Sequence, residues 1–156
     1  ASGTNAGSGA ILTITTSGHV TAEAENVEVD KKSDKLKKLI VEAFQKDSIK
    51  GGTGSGSVGA NNSLAGAVDT IVMNKTITAS VNNLKNIENS SFESVNVNAA
   101  SETEYTHGTG TAAGGSDGIG GTVATLVLNK DIYSKILNSD ITSVGDILNS
   151  SSSSIS

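Results

Sequence analysis

The chain has no cysteine, no proline and no tryptophan among its 156 residues, and all 11 of its basic residues are lysine. Without cysteine there is no disulfide framework, whatever the compartment, so stability has to come from packing and hydrogen bonds. Without proline every residue can donate its backbone N–H, which favours long uninterrupted ladders. Aromatic residues make up only 3% and hydrophobic residues 35%, so any core is assembled from Val, Ile, Leu and Ala. Such side chains suit thin, regular layers better than a globular core anchored on large rings. A formal charge of −5 argues against a nucleic-acid partner. No apolar run approaches the roughly 20 residues that a spanning helix needs, so no membrane span is expected.

What is present in abundance is repetition. Val72-Met73-Asn74-Lys75 returns as Val127-Leu128-Asn129-Lys130, a spacing of 55 (127 − 72). At the same offset Gly66 meets Gly121, Val68 meets Val123, Thr70 meets Thr125 and Ile77 meets Ile132. The matched positions are glycines and β-branched residues, not acids, histidines or cysteines. The repeat therefore describes a way of folding, and stacked architectures are its first expectation. Asn74 and Asn129, approached through Gly66 and Gly121, are the expected structural corners of that stack. Asparagines sharing a corner can also bond to one another along the stack.

Period-two alternation marks the strands. Val20 to Glu25, Val27 to Asp30, Thr76 to Val81 and Val95 to Ala99 each alternate apolar and polar residues. One segment reads differently. From Ser33 and Asp34, a candidate N-cap, Leu36, Leu39, Ile40, Ala43 and Phe44 fall three and four apart, and Gly51-Gly52 can end the run. This spacing predicts an amphipathic α-helix near residues 34–47 whose apolar stripe docks on the β-core. Val27-Glu28-Val29 also matches Val95-Asn96-Val97 at an offset of 68 (95 − 27), 13 more than 55. That excess suggests unequal units, about 27–94 and 95–149, with the helix as an insertion in the first. The Ser150 to Ser154 run reads as a flexible end or a strand cut off from its neighbours.

The Gly-rich approach, the Ala65-Gly66-Ala67-Val68 strand, the corner asparagine and the Thr-rich strand that follows resemble a known group. The residues are Gly59 to Ser80 and Gly114 to Ser134, linked by Val95 to Ser101. They are similar to the repeats of leukotoxin-type and filamentous-haemagglutinin-type bacterial adhesins, the passenger regions of autotransporter and related secretion systems. The resemblance implies an all-β fold, a right-handed parallel β-helix, displayed at a bacterial cell surface or secreted through the outer membrane. It also implies a role in virulence through adhesion to host cells or other bacteria, the partner being a cell-surface protein or glycan. The chain is then expected to be a single β-helical segment over 1–156, part of a larger passenger and able to self-associate through its ends. A structural stalk or spacer is the alternative, and a β-sandwich the rival fold.

Catalytic chemistry is poorly represented, and the expectation is no enzyme and no cofactor. A glycan-active β-helix enzyme needs clustered carboxylates, yet Asp69 meets Ala124 at the repeat offset. Glu23, Glu25 and Glu28 read as a solvated strand face. Glu102, Glu104, Tyr105 and His107 form the best polar constellation. His19 and His107 are the only histidines, so metal-ligand spacing is missing. Gly114 to Gly121, with Asp117, resembles one calcium nonapeptide but lacks the tandem copies such a site requires.

Overall fold

A computed structural model of the chain describes residues 2–29, 37–86 and 91–156. Within them every regular element is a strand. In chain order these are β1 (Ser2–Glu25), β2 (Glu28–Val29), β3 (Lys37–Asn82), β4 (Lys85–Asn86), β5 (Phe92–Gly114), β6 (Asp117–Leu137) and β7 (Ile147–Ile155). The main sheet runs β1-β3-β5-β7 with β6 also paired to β3, and β2 pairs β4 in a small second sheet. The β2–β4 and β5–β7 pairs are parallel. The fold is all-β with a parallel sheet. This excludes an antiparallel sandwich built of hairpins.

A constant difference in sequence number runs through each pairing, as parallel strands in fixed register require. Asn62 bonds to Asn5 and Ser80 to Glu23 at a separation of 57, and Asn83 to Asn26 likewise. Between β3 and β5, Lys46 meets Glu102 at 56. Between β3 and β6, Asn129 meets Asn74 at 55. Between β5 and β7, Val95 lies opposite Ile147, a difference of 52 (147 − 95). Strands therefore pair at about the whole repeat length, 52 to 57 residues apart.

The chain forms two compact units, each assembled from three separate stretches. The first comprises Ala1–Ser17, Ser48–Asn74 and Tyr105–Asn129; the second comprises Gly18–Asp47, Lys75–Glu104 and Lys130–Ser156. The second holds an apolar core. Ile77, Ala79, Val81, Leu84, Val95, Val97 and Ala99 are fully buried there, with Val41, Ala43 and Phe92 beside them. Its turns are made by Asn26, Asn83 and Asn138, with φ of 55°, 55° and 50°. Asparagine tolerates this left-handed conformation because its short side chain can bond locally. The three form a column. Asn83 Nδ2 donates to Asn26 Oδ1 at 2.6 Å, Asn138 Nδ2 donates to Asn82 Oδ1 at 3.0 Å, and the Asn83 N–H donates to the Leu137 carbonyl at 3.1 Å.

The first unit has a thinner and more polar interior: Ala65, Ala67, Ile71 and Met73 are buried together with Ser57, Ser63 and Asp69. Ser57 Oγ donates to the Leu64 carbonyl at 2.8 Å and Ser55 Oγ to the Gly66 carbonyl at 2.7 Å. Partners that separate in step on either side of Ala60 and Asn61 mean that β3 folds back on itself there, between Gly59 and Asn62. A straight strand rising about 3.3 Å per residue could not bring them together. Glycine is required at this bend, since a Cβ on Gly59 would collide with the Asn62 carbonyl. At the next turn Gly115 takes φ +150° against the Gly59 carbonyl, which only a residue without Cβ can do.

The structure corrects the predicted helix near residues 34–47. From Lys37 onward the segment is strand, part of β3; Ser33 to Leu36 lie outside the described residues. Both periods fit this sequence, but the strand buries Leu39, Val41 and Ala43 in one row and sends the even positions outward. Of the expected docking face, Ala43 is buried and Leu39 half-buried, whereas Ile40 and Phe44 are each 58% exposed. An isolated helix of three turns is marginal in water, and the ladder with β5 supplies both backbone bonds and the Lys38–Glu93 ion pair at 3.2 Å. The offset of 68 has no counterpart in the pairing: Glu28 lies opposite Lys85, and Val95 opposite Ile147. The terminal serines form β7, where Ser150 to Ser154 pair with Asn98 to Glu102.

Candidate functional site

The most concentrated polar chemistry lies inside the first unit. Asp69 occupies an inward position of β3 in line with Ala65, Ala67 and Ile71, and the residue is only 1% exposed. Thr53 Oγ1 donates to Asp69 Oδ2 at 3.1 Å, and His107 Nε2 contacts the same oxygen. Tyr105 stacks on the His107 ring, with centroids 5.9 Å apart and planes at 10°. The ring lies beside Gly51, where a Cβ would stand 3.4 Å from His107 Cδ2, an ordinary van der Waals contact.

Thr53 and His107 both converge on one carboxylate oxygen. A nucleophile–base–acid relay needs the base between the other two groups, so this arrangement cannot pass a proton from Thr53 through His107 to Asp69. Its chemistry is that of a buried cross-link. The other carboxylate oxygen, Asp69 Oδ1, is buried without a hydrogen-bond partner. Such an acceptor carries a desolvation cost, and the pairing at Oδ2 must offset it.

The Glu102, Glu104, Tyr105 and His107 constellation is split. Glu102 and Glu104 face Lys46 in the second unit, at 3.1 and 2.8 Å, while Tyr105 and His107 belong to the first. Hydrogen bonds that it donates to Glu104 and then to Glu102 hold the Lys46 ammonium above its ordinary range, against a smaller effect of desolvation. Glu23, Glu25 and Glu28 stand on exposed positions, and Glu23 accepts a bond from Ser80 at 3.3 Å. Among the described residues no group of three or more His, Cys, Asp or Glu could hold a metal ion.

Asn74 and Asn129 are joined directly, Asn129 Nδ2 donating to Asn74 Oδ1 at 2.8 Å, but both sit inside strands. Gly66 and Gly121 also lie within strands, next to each other and to Gly9. The left-handed corners are Asn26, Asn83 and Asn138. Their signal was present in the sequence as asparagines at the repeat spacing.

Gly9, Gly66 and Gly121 fix the rows on the outward face of the first unit. Two residues further along, Ile11, Val68 and Val123 align; then Thr13, Thr70 and Thr125; then Thr15, Val72 and Val127. Ile11 is 81% exposed, Val123 59% and Val68 43%. Adjacent rows lie about 7 Å apart and adjacent strands about 4.8 Å apart, so the result is a regular Thr/Val lattice. At its edge an open cavity of about 490 Å³ is lined by Asn5, Gly7, Asn62, Leu64, Asp117 and Ile119, among others. Gly7 leaves the gap beside Leu64. Comparison with protein-family models, curated proteins and solved structures finds no match to this chain.

Proposed function

We propose that the chain is a non-enzymatic segment of a bacterial surface-exposed or secreted adhesin passenger, with layers that are coils of a right-handed parallel β-helix. The repeats at Gly59 to Ser80 and Gly114 to Ser134, which resemble leukotoxin-type and filamentous-haemagglutinin-type adhesins, support this reading. So does the parallel register at separations of 57, 56 and 55. Right-handedness follows the near-universal hand of connections between parallel strands.

The observation that carries the adhesive role is the exposed lattice of Ile11, Val68, Val123 and the threonine row. It leaves apolar methyl groups in water, an arrangement that marks interaction surfaces when contiguous. Recognition would use many weak contacts repeated along the rows, with a host or bacterial cell-surface protein or glycan as partner. The test is binding of the purified chain to host cells, bacteria and immobilised glycans. Val68→Lys with Val123→Lys should lower that binding at least tenfold while the circular dichroism spectrum is kept. Equal binding by both forms would remove the lattice from the account.

A structural stalk is the second reading, favoured by the fully buried middle layer and the asparagine column. In-frame removal of one layer should then leave attachment by the parent protein intact.

A further inference from the structure

We propose that the open cavity of about 490 Å³ on the outward face of the first unit is a subsite for one neutral pyranose residue of a glycan. The inference rests on the adhesive reading and narrows its partner to one class of ligand.

Two rows of side chains build the cavity. The register of 57 between β1 and β3, and of 55 between β3 and β6, aligns Asn5, Asn62 and Asp117 in one row. The same steps align Gly7, Leu64 and Ile119 in the next outward row, about 7 Å further along the strands. Leu64 stands at the centre of this second row, with a paired strand on either side, and is still 59% exposed. Its methyl groups and those of Ile119 form an aliphatic ledge. At Gly7 the row carries no side chain, and a Cβ there would meet nothing within 4 Å. Neither packing nor a left-handed φ requires glycine at this position, whereas glycine within a strand costs backbone entropy. What Gly7 does is hold open the recess beside Leu64.

The polar row gives that recess directional partners. Asn62 Nδ2 donates to Asn5 Oδ1 at 3.1 Å, which leaves the Asn62 Oδ1 acceptor and the Asn5 Nδ2 donor for a ligand. Asp117 adds a carboxylate, an acceptor that bonds hydroxyls strongly. All three residues are exposed on the face that carries the cavity.

The chemistry of the two rows selects the ligand. A ledge of methyl groups with a donor and acceptors along one side matches a pyranose, which presents C–H groups and hydroxyls on different parts of one ring. A purely apolar ligand would leave Asn62 Oδ1 and the Asp117 carboxylate desolvated and unpaired. An extended peptide needs free backbone groups, and the strands beneath the cavity use theirs in pairing with one another. An anionic sugar is opposed by Asp117, because no lysine lines the cavity and the whole chain carries a formal charge of −5. The ligand is therefore uncharged.

The test is a nuclear magnetic resonance titration of the whole chain with the methyl glycosides of glucose, galactose, mannose and N-acetylglucosamine. Sialic acid serves as the anionic control. At about 10 mM, where a site of millimolar Kd is nearly filled, at least one neutral glycoside should shift the amide signals of Gly7, Asn62, Leu64 and Asp117. Sialic acid should leave them unmoved. Gly7→Leu fills the recess at a position with open space, so it should keep the circular dichroism spectrum and lower the affinity at least tenfold. Asp117→Asn keeps the shape, removes the charge and should lower the affinity by about tenfold. The proposal is overturned if no neutral glycoside moves these signals, if sialic acid moves them equally, or if Gly7→Leu binds as the wild type does. Cell binding reports on the adhesive reading separately. Cells held equally by Gly7→Leu and the wild type, with no sugar-induced shifts, end this proposal and leave adhesion through the lattice standing. Sugar-induced shifts in a chain that holds no cells do the opposite.

Discussion

The two units obey one register and fill their interiors in opposite ways. The second buries Val, Ile, Leu and Phe92 in a continuous apolar cluster. The first replaces most of that volume with glycine, serine and alanine, and holds its interior together through Ser55, Ser57, Thr53, Asp69 and His107. Hydrophobic burial is non-directional and tolerates repacking. The polar interior of the first unit depends on geometry, because each buried hydroxyl, carboxylate and imidazole is costly unless paired. The same ladder can therefore be supported by bulk in one region and by specific bonds in another.

Substitutions measured by chemical denaturation can break or sharpen this contrast. The largest effect is expected from Phe92→Ala in the second unit, a loss of about 4 kcal/mol from transfer and cavity terms together. Next, Asp69→Ala should cost about 3 kcal/mol, since it removes the acceptor of the Thr53 hydroxyl and the group that the buried His107 ring packs against. Replacing both members, Asp69→Leu with His107→Leu, should recover most of that loss by giving the first unit an apolar interior. If the double variant is no better than the single one, the pair cannot be exchanged for bulk. Asn83→Ala should cost about 1–2 kcal/mol through the left-handed corner, with Asn83→Gly milder.

Lys46→Ala is the smallest, because the ion pair with Glu104 and Glu102 lies in water. Its sign is still definite. The folded-state pKa of Lys46 is raised, so the contribution is complete below its ordinary value of 10.5 and fades as pH rises through the folded-state value. Denaturation midpoints of the wild type and Lys46→Ala should converge at alkaline pH.

Much of the strand pattern was legible. Val95, Val97 and Ala99 alternate in the sequence and are buried on one face, and the spacing of 55 recurs as the contact between Asn74 and Asn129. The stretch from Lys37 to Asp47 was not. Leu39, Ile40, Ala43 and Phe44 satisfy a helical stripe, while Leu39, Val41 and Ala43 satisfy a strand, and only pairing with β5 decides between them. Asp69 and His107 lie on different strands, and nothing local in the sequence brings them together.

The register also records where the chain can change length. Its separations run 57, 56, 55 and 52 along the molecule, changing from one strand pair to the next. Within a strand, removing one residue would exchange every inward side chain for its outward neighbour. At a turn the count of odd and even starts afresh. Length changes between strands leave that parity intact, provided the glycine-dependent bends at Gly59 and Gly115 are kept. In the strands only the chemistry of a residue is free to drift, never its parity.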